Sequence, residues 1–331
     1  MGFLGWRAAT AAALYSPGGF FTGDGGPGGH FRTSVHASPL FAGALARLVE
    51  RVDAALGRPA VFDLVDVGAG RGELLGALGE LLPASLARRV RPVGVEVAAR
   101  PAGLDPAIGW RRDVPAEVTG MLLATEWLDN VPLDVAEVDE RGRLRLVLVD
   151  PATGAETLGG PVSAADRFWL ARWWPPDTAV TGQRVELGWL RDVAWADAVA
   201  AVRRGCALAV DYGHLAGQRP VHGTLTGYRD GRQVTPVPDG STDVTAHVAM
   251  DSAALATGTA YEMIAQREAL RALGVHGGRP PLELARTDPA GYVRALSGAG
   301  AAAELTDPAG LGGHWWLLHT AGLDPRASMW G

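Results

Sequence analysis

One stretch restricts the fold more than any other. Val61-Phe-Asp-Leu-Val-Asp-Val67 runs directly into Gly68-Ala-Gly70-Arg-Gly72-Glu-Leu-Leu75, which reads as a buried strand, a turn of alternate glycines and the start of a helix. A near-continuous apolar run suits a strand covered on both faces of a parallel sheet. Glycines at Gly68, Gly70 and Gly72 supply a turn without side chains, so a ligand can sit against main-chain N–H groups at the helix start. The dinucleotide fingerprint requires glycine at its sixth position, and the sixth residue from Gly68 is Glu73. The turn is therefore read as a cradle for a different nucleotide cofactor. Asp66, two residues before it, is placed for a cationic or hydroxyl-bearing partner. A tight connection with no ligand explains the glycines alone, but Val93-Gly-Val-Glu96-Val97 adds a second strand with an acid at its tip. A βαβ crossover brings that acid beside the turn, where an acceptor-only carboxylate can take both ribose hydroxyls of an adenosine.

Bulk properties narrow the class. With 331 residues, 47% of them hydrophobic and 20% charged, the chain has a globular composition and enough length for one large α/β domain or two modest ones. A net charge of −6 gives no basic excess and argues against a nucleic-acid partner. Cys206 is the single cysteine, so no internal disulfide can form and a reducing, cytoplasmic setting is expected. Met1 to Ser16 lacks the apolar core of a signal peptide and reads as a short helix. No apolar run reaches membrane-spanning length, so a soluble protein without membrane association is expected.

Along the chain, strands and helices alternate. Ser38 and Pro39 give a helix start, and Leu40, Phe41, Ala44, Leu45, Leu48, Val52 and Leu56 recur at helical spacing. Helices are expected over 73–82, 189–204 and 261–273. Strands are expected at Gly120 to Glu126, Cys206 to Val210 and Trp315 to His319, with a hairpin over 135–149 turning at Arg141-Gly142. The segments 150–184 and 214–250 resist assignment, although Asp230-Gly231 and Asp239-Gly240 mark turns. The implied architecture is a doubly wound, mostly parallel, seven-stranded Rossmann-like sheet. Its core is assigned to 39–133 and 185–331, with a lid segment over 1–38 and covering insertions at 134–184 and 214–250.

Five blocks, taken in order, resemble the MidA-like family of class I S-adenosylmethionine (SAM) methyltransferases. They are Leu14-Tyr-Ser-Pro-Gly-Gly-Phe-Phe21, Gly29-His-Phe-Arg-Thr-Ser34, Thr125-Glu-Trp-Leu-Asp-Asn-Val-Pro132, Ala209-Val-Asp-Tyr-Gly213 with Gly223-Thr-Leu-Thr-Gly-Tyr228, and Asp239-Gly-Ser-Thr-Asp-Val-Thr-Ala-His-Val248. The resemblance implies SAM as cofactor and a protein side chain as methyl acceptor, specifically an arginine, as in the mitochondrial relatives that modify a respiratory complex I subunit. His30, His36 and Thr125 depart from the family's usual aspartate, glutamate and asparagine. Those departures favour the alternative of a small-molecule acceptor, and a scaffold that merely retains a SAM site is a third reading. The sequence leaves the oligomeric state open, a homodimer included.

Methyl transfer from a sulfonium is an in-line displacement, so a site for it has to align two reactants and exclude water. Asp66, Gly68, Gly70, Gly72, Glu96 and Glu126 are the expected cofactor residues, and the resemblance to this class implies Asp113 at the adenine. A guanidinium acceptor is protonated in water and needs carboxylates to orient it and take a proton. Glu126, Asp129 and Asp211 are the candidates. For Asp129 the competing role is a helix cap, and for Asp211 a bond to its own turn at Gly213. Asp243 and His247 are spaced to share a helix face. His30, His36, His214 and His222 show no metal-ligand spacing, and no metal is expected.

Overall fold

The computed structural model describes residues 2–23, 38–174, 180–324 and 328–330. The apolar run before the glycines forms β1 (Phe62–Val67), buried at every residue. Six more strands join it: β2 (Val90–Val95), β3 (Gly109–Arg111), β4 (Val118–Thr125), β5 (Val202–Asp211), β6 (Tyr261–Ala265) and β7 (Trp315–Ala321). Their order is β6-β7-β5-β4-β1-β2-β3. Pairing is parallel from β5 through β3. β7 alone is antiparallel to its neighbours β5 and β6. The expected mostly parallel sheet is thus present. From β1 the chain steps outward to β2 and β3, then returns to place β4 on the other side of β1, which makes the carboxyl ends of β1 and β4 a topological switch point.

Alternation along the strands divides the core in two. Leu64, Met121, Leu208 and Trp316 face Phe41, Leu45, Leu48 and Val52 of α2 (Pro39–Ala55), which follows α1 (Trp6–Tyr15). Ser38 accepts from the Leu40 N–H and Pro39 opens α2, as the sequence indicates. On the other face Val65, Leu122 and Ala207 pack with Trp195 and Ala198 of α3 (Trp189–Ala200). Near their amino ends the central strands approach closely. A Cβ on Gly120 would lie 2.2 Å from the Asp63 carbonyl oxygen, and one on Gly205 1.8 Å from the Gly120 carbonyl oxygen.

Several expectations need correction. The helix expected over 189–204 ends at Ala200, because Val202 already pairs with Val118 in the sheet. The helix expected over 261–273 begins only at Gln266. Tyr261–Ala265 instead pairs with β7 as the sheet's edge strand. The segment 150–184 contains a strand, Glu156–Pro161, and a helix, Ala164–Trp173 with a Ser163/Asp166 capping box. That strand belongs to a second, antiparallel sheet with Leu4–Gly5, Val135–Val138, Leu144–Val149 and Arg184–Glu186, which includes the expected hairpin. Within 214–250 the Asp230-Gly231 turn, both residues at positive φ, joins Thr226–Arg229 to Arg232–Val234, the geometry that Asp-Gly favours in a two-residue hairpin. Asp243 lies in a strand, Asp243–Thr245, and not on a helix face with His247. No described helix is long and apolar enough to cross a membrane.

Candidate active site

A cavity of about 800 Å³ opens at the switch point. It runs along the carboxyl edge of the sheet from the residues after β3 to those after β4. Of the residues singled out from sequence, Asp66, Gly68, Gly70, Glu96, Asp113 and Glu126 line it together.

Gly68, Gly70 and Gly72 have φ of 75°, 57° and 86°, a left-handed series that only glycine adopts without strain. A Cβ at Gly68 would lie 3.0 Å from the Trp127 ring, so the turn and the segment after β4 are fitted to each other. Gly72 is not in the cavity wall. It is the N-cap residue of the helix Glu73–Leu81, and a Cβ there would strike Leu104 at 2.5 Å.

Glu96 lies just past β2 and turns toward the glycines. Its Oε2 accepts from the Gly70 N–H at 3.0 Å and its Oε1 from the Val97 N–H at 2.7 Å and the Ala98 N–H at 3.3 Å. An ionised carboxylate has about four acceptor sites, so Oε2 keeps capacity for a hydroxyl. Partial burial raises the pKa of Glu96 against these hydrogen bonds. Asp66 is 2% exposed, and its Oδ1 has no hydrogen-bond partner among the described residues. Burial, reinforced by Glu96 and Glu73, pushes its pKa up to about 8. An orphaned buried carboxylate oxygen in a cavity wall is what an ammonium-bearing ligand would satisfy. Together with a side-chain-free turn and an acceptor at Glu96, it fits the amino-acid and ribose parts of SAM.

Glu126 follows β4 with φ of 51°, a region that costs a residue with a long side chain about 1–3 kcal/mol. Its N–H bonds the Val210 carbonyl at 2.7 Å, which anchors this strained residue to β5.

Asp129 and Asp211 do not line the cavity. Asp129 is the middle residue of the turn Leu128–Asn130 and Asp211 lies against that turn, 4% and 0% exposed. Asp211 Oδ2 accepts from the N–H groups of Leu128 at 3.0 Å and Asp129 at 3.2 Å, rather than from its own turn at Gly213. Asp129 Oδ2 accepts from the Tyr212 hydroxyl and, at 2.8 Å, from that of Thr245. Asn130 Nδ2 donates to Asp243 at 2.9 Å. Burial raises the pKa of all three carboxylic acids. Arg191 stands among them, donating to the carbonyls of Asp129, Val131, Ala246 and His247. The two aspartates thus set the shape of the turn whose Asn130 and Val131 form the wall.

Sequence reasoning missed several wall residues. Trp127 was passed over between two flagged acids, whereas Tyr15 and Phe21 belong to the N-terminal segment expected as a lid. Ala194, Asp197, Ala198 and Ala201 recur at i, i+3, i+4 and i+7, a spacing that marks one helix face. Arg191 carried no signal in sequence. His30 and His36 lie outside the described residues.

Residues 44–267, more than half the chain, match the model of a family described as "Putative S-adenosyl-L-methionine-dependent methyltransferase". No curated protein matches the sequence. The fold is similar to a protein from Burkholderia thailandensis bound to S-adenosyl-homocysteine (SAH), with a TM-score of 0.79, 24% identity, and coverage of 98% of this chain and 89% of that one. It is also similar to an uncharacterized protein from Burkholderia thailandensis, with a TM-score of 0.79, 25% identity, and coverage of 99% and 90%. With the cavity formed around Asp66, the glycine turn and Glu96, the chain belongs to this family and is a SAM-dependent methyltransferase.

Proposed function

We propose that this methyltransferase modifies a protein side chain, with an arginine guanidino nitrogen as the acceptor, and that its sheet is the Rossmann-like class I arrangement with the N-terminal segment as lid. The observation that carries the reading is the charge of the wall. Glu73, Glu96, Asp113, Glu126 and Asp197 face Arg112 as the one basic residue among the described lining residues, and Asp66 adds its charge once a cationic ligand displaces its proton. So acidic a cavity favours reactants that carry positive charge.

Bound SAM supplies an electrophilic methyl group on a sulfonium. The chain holds it through Asp66, the Gly68–Gly70 turn and Glu96, with Asp113 at the adenine. Glu126 orients a protonated acceptor and takes up its proton. Asp129 and Asp211 serve as positioning residues for the turn beside it. Alignment of this kind lowers a barrier by roughly 7–11 kcal/mol when water is excluded.

The test is to incubate a lysate from a strain lacking the protein with purified enzyme and labelled SAM, then analyse proteins and small molecules by mass spectrometry. Label on an arginine, lost with Glu126→Gln, supports the proposal. Label confined to small molecules transfers the assignment to the alternative that Thr125, a cavity-lining departure from the family pattern, favours.

A further inference from the structure

The N-terminal segment reaches the cavity from far away in the chain and lies outside the residues matched by the family model. Leu4–Gly5 pairs with Leu148 and Val149 of the second sheet, and Trp6 and Ala9 of α1 are buried against Val147 and Val149. The helix end is therefore anchored before it meets the site. At that end the Tyr15 hydroxyl donates to the Asn130 carbonyl at 3.0 Å. The chain then folds back on itself, with Phe20 and Phe21 N–H groups bonded to the Ala13 and Leu14 carbonyls at 2.9 and 3.0 Å. This sets the Phe21 ring on that of Tyr15, centroids 5.6 Å apart and planes 28° from parallel. Both residues line the cavity.

The pair stands beside the turn after β4. Asp113 lies after β3, three strands along the sheet edge, or about 14 Å at the usual strand spacing. The rings therefore occupy the end of the cavity opposite the proposed adenine subsite. They interrupt a wall that is otherwise rich in carboxylates. An aromatic face attracts a cation through its quadrupole without hydrating it or removing its proton. The Tyr15 hydroxyl, having given its one proton to Asn130, can act toward the cavity only as an acceptor. The raised pKa of Tyr15, caused by burial and then by Asp129, Asp243 and Glu96, keeps it in that form.

We propose that Tyr15 and Phe21 form a charge-selective wall for the sulfonium, so that the enzyme holds charged SAM in preference to its neutral product, SAH. The proposal rests on the cofactor reading of the cavity and deepens it. SAM and SAH differ by one methyl group and one charge, so their affinity ratio isolates the effect of the rings. Their affinities for the whole chain are measured by calorimetry, in the wild type and in Phe21→Leu, Phe21→Trp and Tyr15→Leu, with thermal melting of each variant as a folding control. Phe21→Leu keeps apolar bulk but loses the ring face, and it lowers the preference for SAM over SAH by about three- to tenfold, as expected for one cation–π contact. Phe21→Trp keeps the preference. If Phe21→Leu melts below the assay temperature, the comparison passes to Tyr15→Leu, for which the same fall is expected. A purely structural role weakens both ligands alike and leaves the ratio at the wild-type value, which overturns the proposal. Failure of the wild type to bind either ligand would instead sink the cofactor reading, and this inference with it.

Discussion

Asp66 is held in an apolar setting with one oxygen unsatisfied, and its pKa rises from an ordinary 3.8 to about 8. Between about pH 4 and pH 8 the folded chain keeps a proton that the unfolded chain has released. Asp66 therefore stabilises the fold fully below that window, and its contribution is lost as pH rises through it. Urea unfolding of the free protein should show stability falling from pH 5 to pH 8, with a shallower fall in Asp66→Asn; equal slopes would contradict the assignment. An ammonium beside Asp66 favours the carboxylate, so SAM binding at pH 7 should release a proton that Asp66→Asn does not. This is read from binding enthalpies in buffers of different ionisation enthalpy, and buffer-independent values would argue against the contact. Glu96→Gln removes the charge and puts an N–H donor opposite either the Gly70 N–H or the Val97 and Ala98 N–H groups. SAH affinity should then drop about ten- to hundredfold, the loss of charge-assisted hydrogen bonds worth roughly 1.5–3 kcal/mol; a change within about threefold would count against a ribose role.

At the scale of elements, the amino half of the sheet depends on backbones packed with no side chain between them. Gly120 combines φ of 146° with a Cβ position 2.2 Å from the Asp63 carbonyl oxygen. Gly120→Ala should cost at least about 3 kcal/mol in urea denaturation, from backbone strain and overpacking together, and a loss under about 1 kcal/mol would show that the strands can separate without penalty. β1, β4 and β5 were legible because strands buried on both faces leave nearly continuous apolar runs. β6 was not. Tyr261-Glu-Met-Ile-Ala265 stands at the sheet edge with only its last residue buried, and its pairing with β7 spans some fifty residues of chain that local spacing does not report. The end of α3 was misread for a similar reason, since Val202 to Arg204 fit a helix locally until Val118 captures Val202. The site divides along the same line. Asp66, Gly68, Gly70 and Glu96 belong to one βαβ unit and could be read from it. Asp129 and Asp211 looked catalytic because sequence places them at strand ends without showing that Tyr212, Thr245 and Arg191 close around them.

The whole molecule closes its cavity with the carboxyl edge of the parallel sheet and the end of a helix anchored on the second sheet. Trp6, Val135, Val147, Val149 and Val244 form one cluster, and the helix that starts at Trp6 ends at Tyr15 on the Asn130 carbonyl. Arg191 ties α3, a wall of the cavity, to the carbonyls of Asp129 and Val131 on one side and of Ala246 and His247 on the other. With α1 packed on the second sheet and its last residue, Tyr15, in the cavity wall, a ligand that touches Tyr15 stabilises both sheets against opening, by about 2.7 kcal/mol at a hundred times its dissociation constant. Hydrogen exchange offers the check, because sub-global opening would reveal any part that is not coupled. On adding SAH, amides of Val135–Val138 and Val147–Val149 should gain protection equal to that of Val65–Val67 in β1. A second sheet whose exchange ignores SAH while β1 slows would mean that it unfolds independently. The cavity would then be the property of the parallel sheet alone, and the N-terminal residues would cover it without being coupled to what it holds.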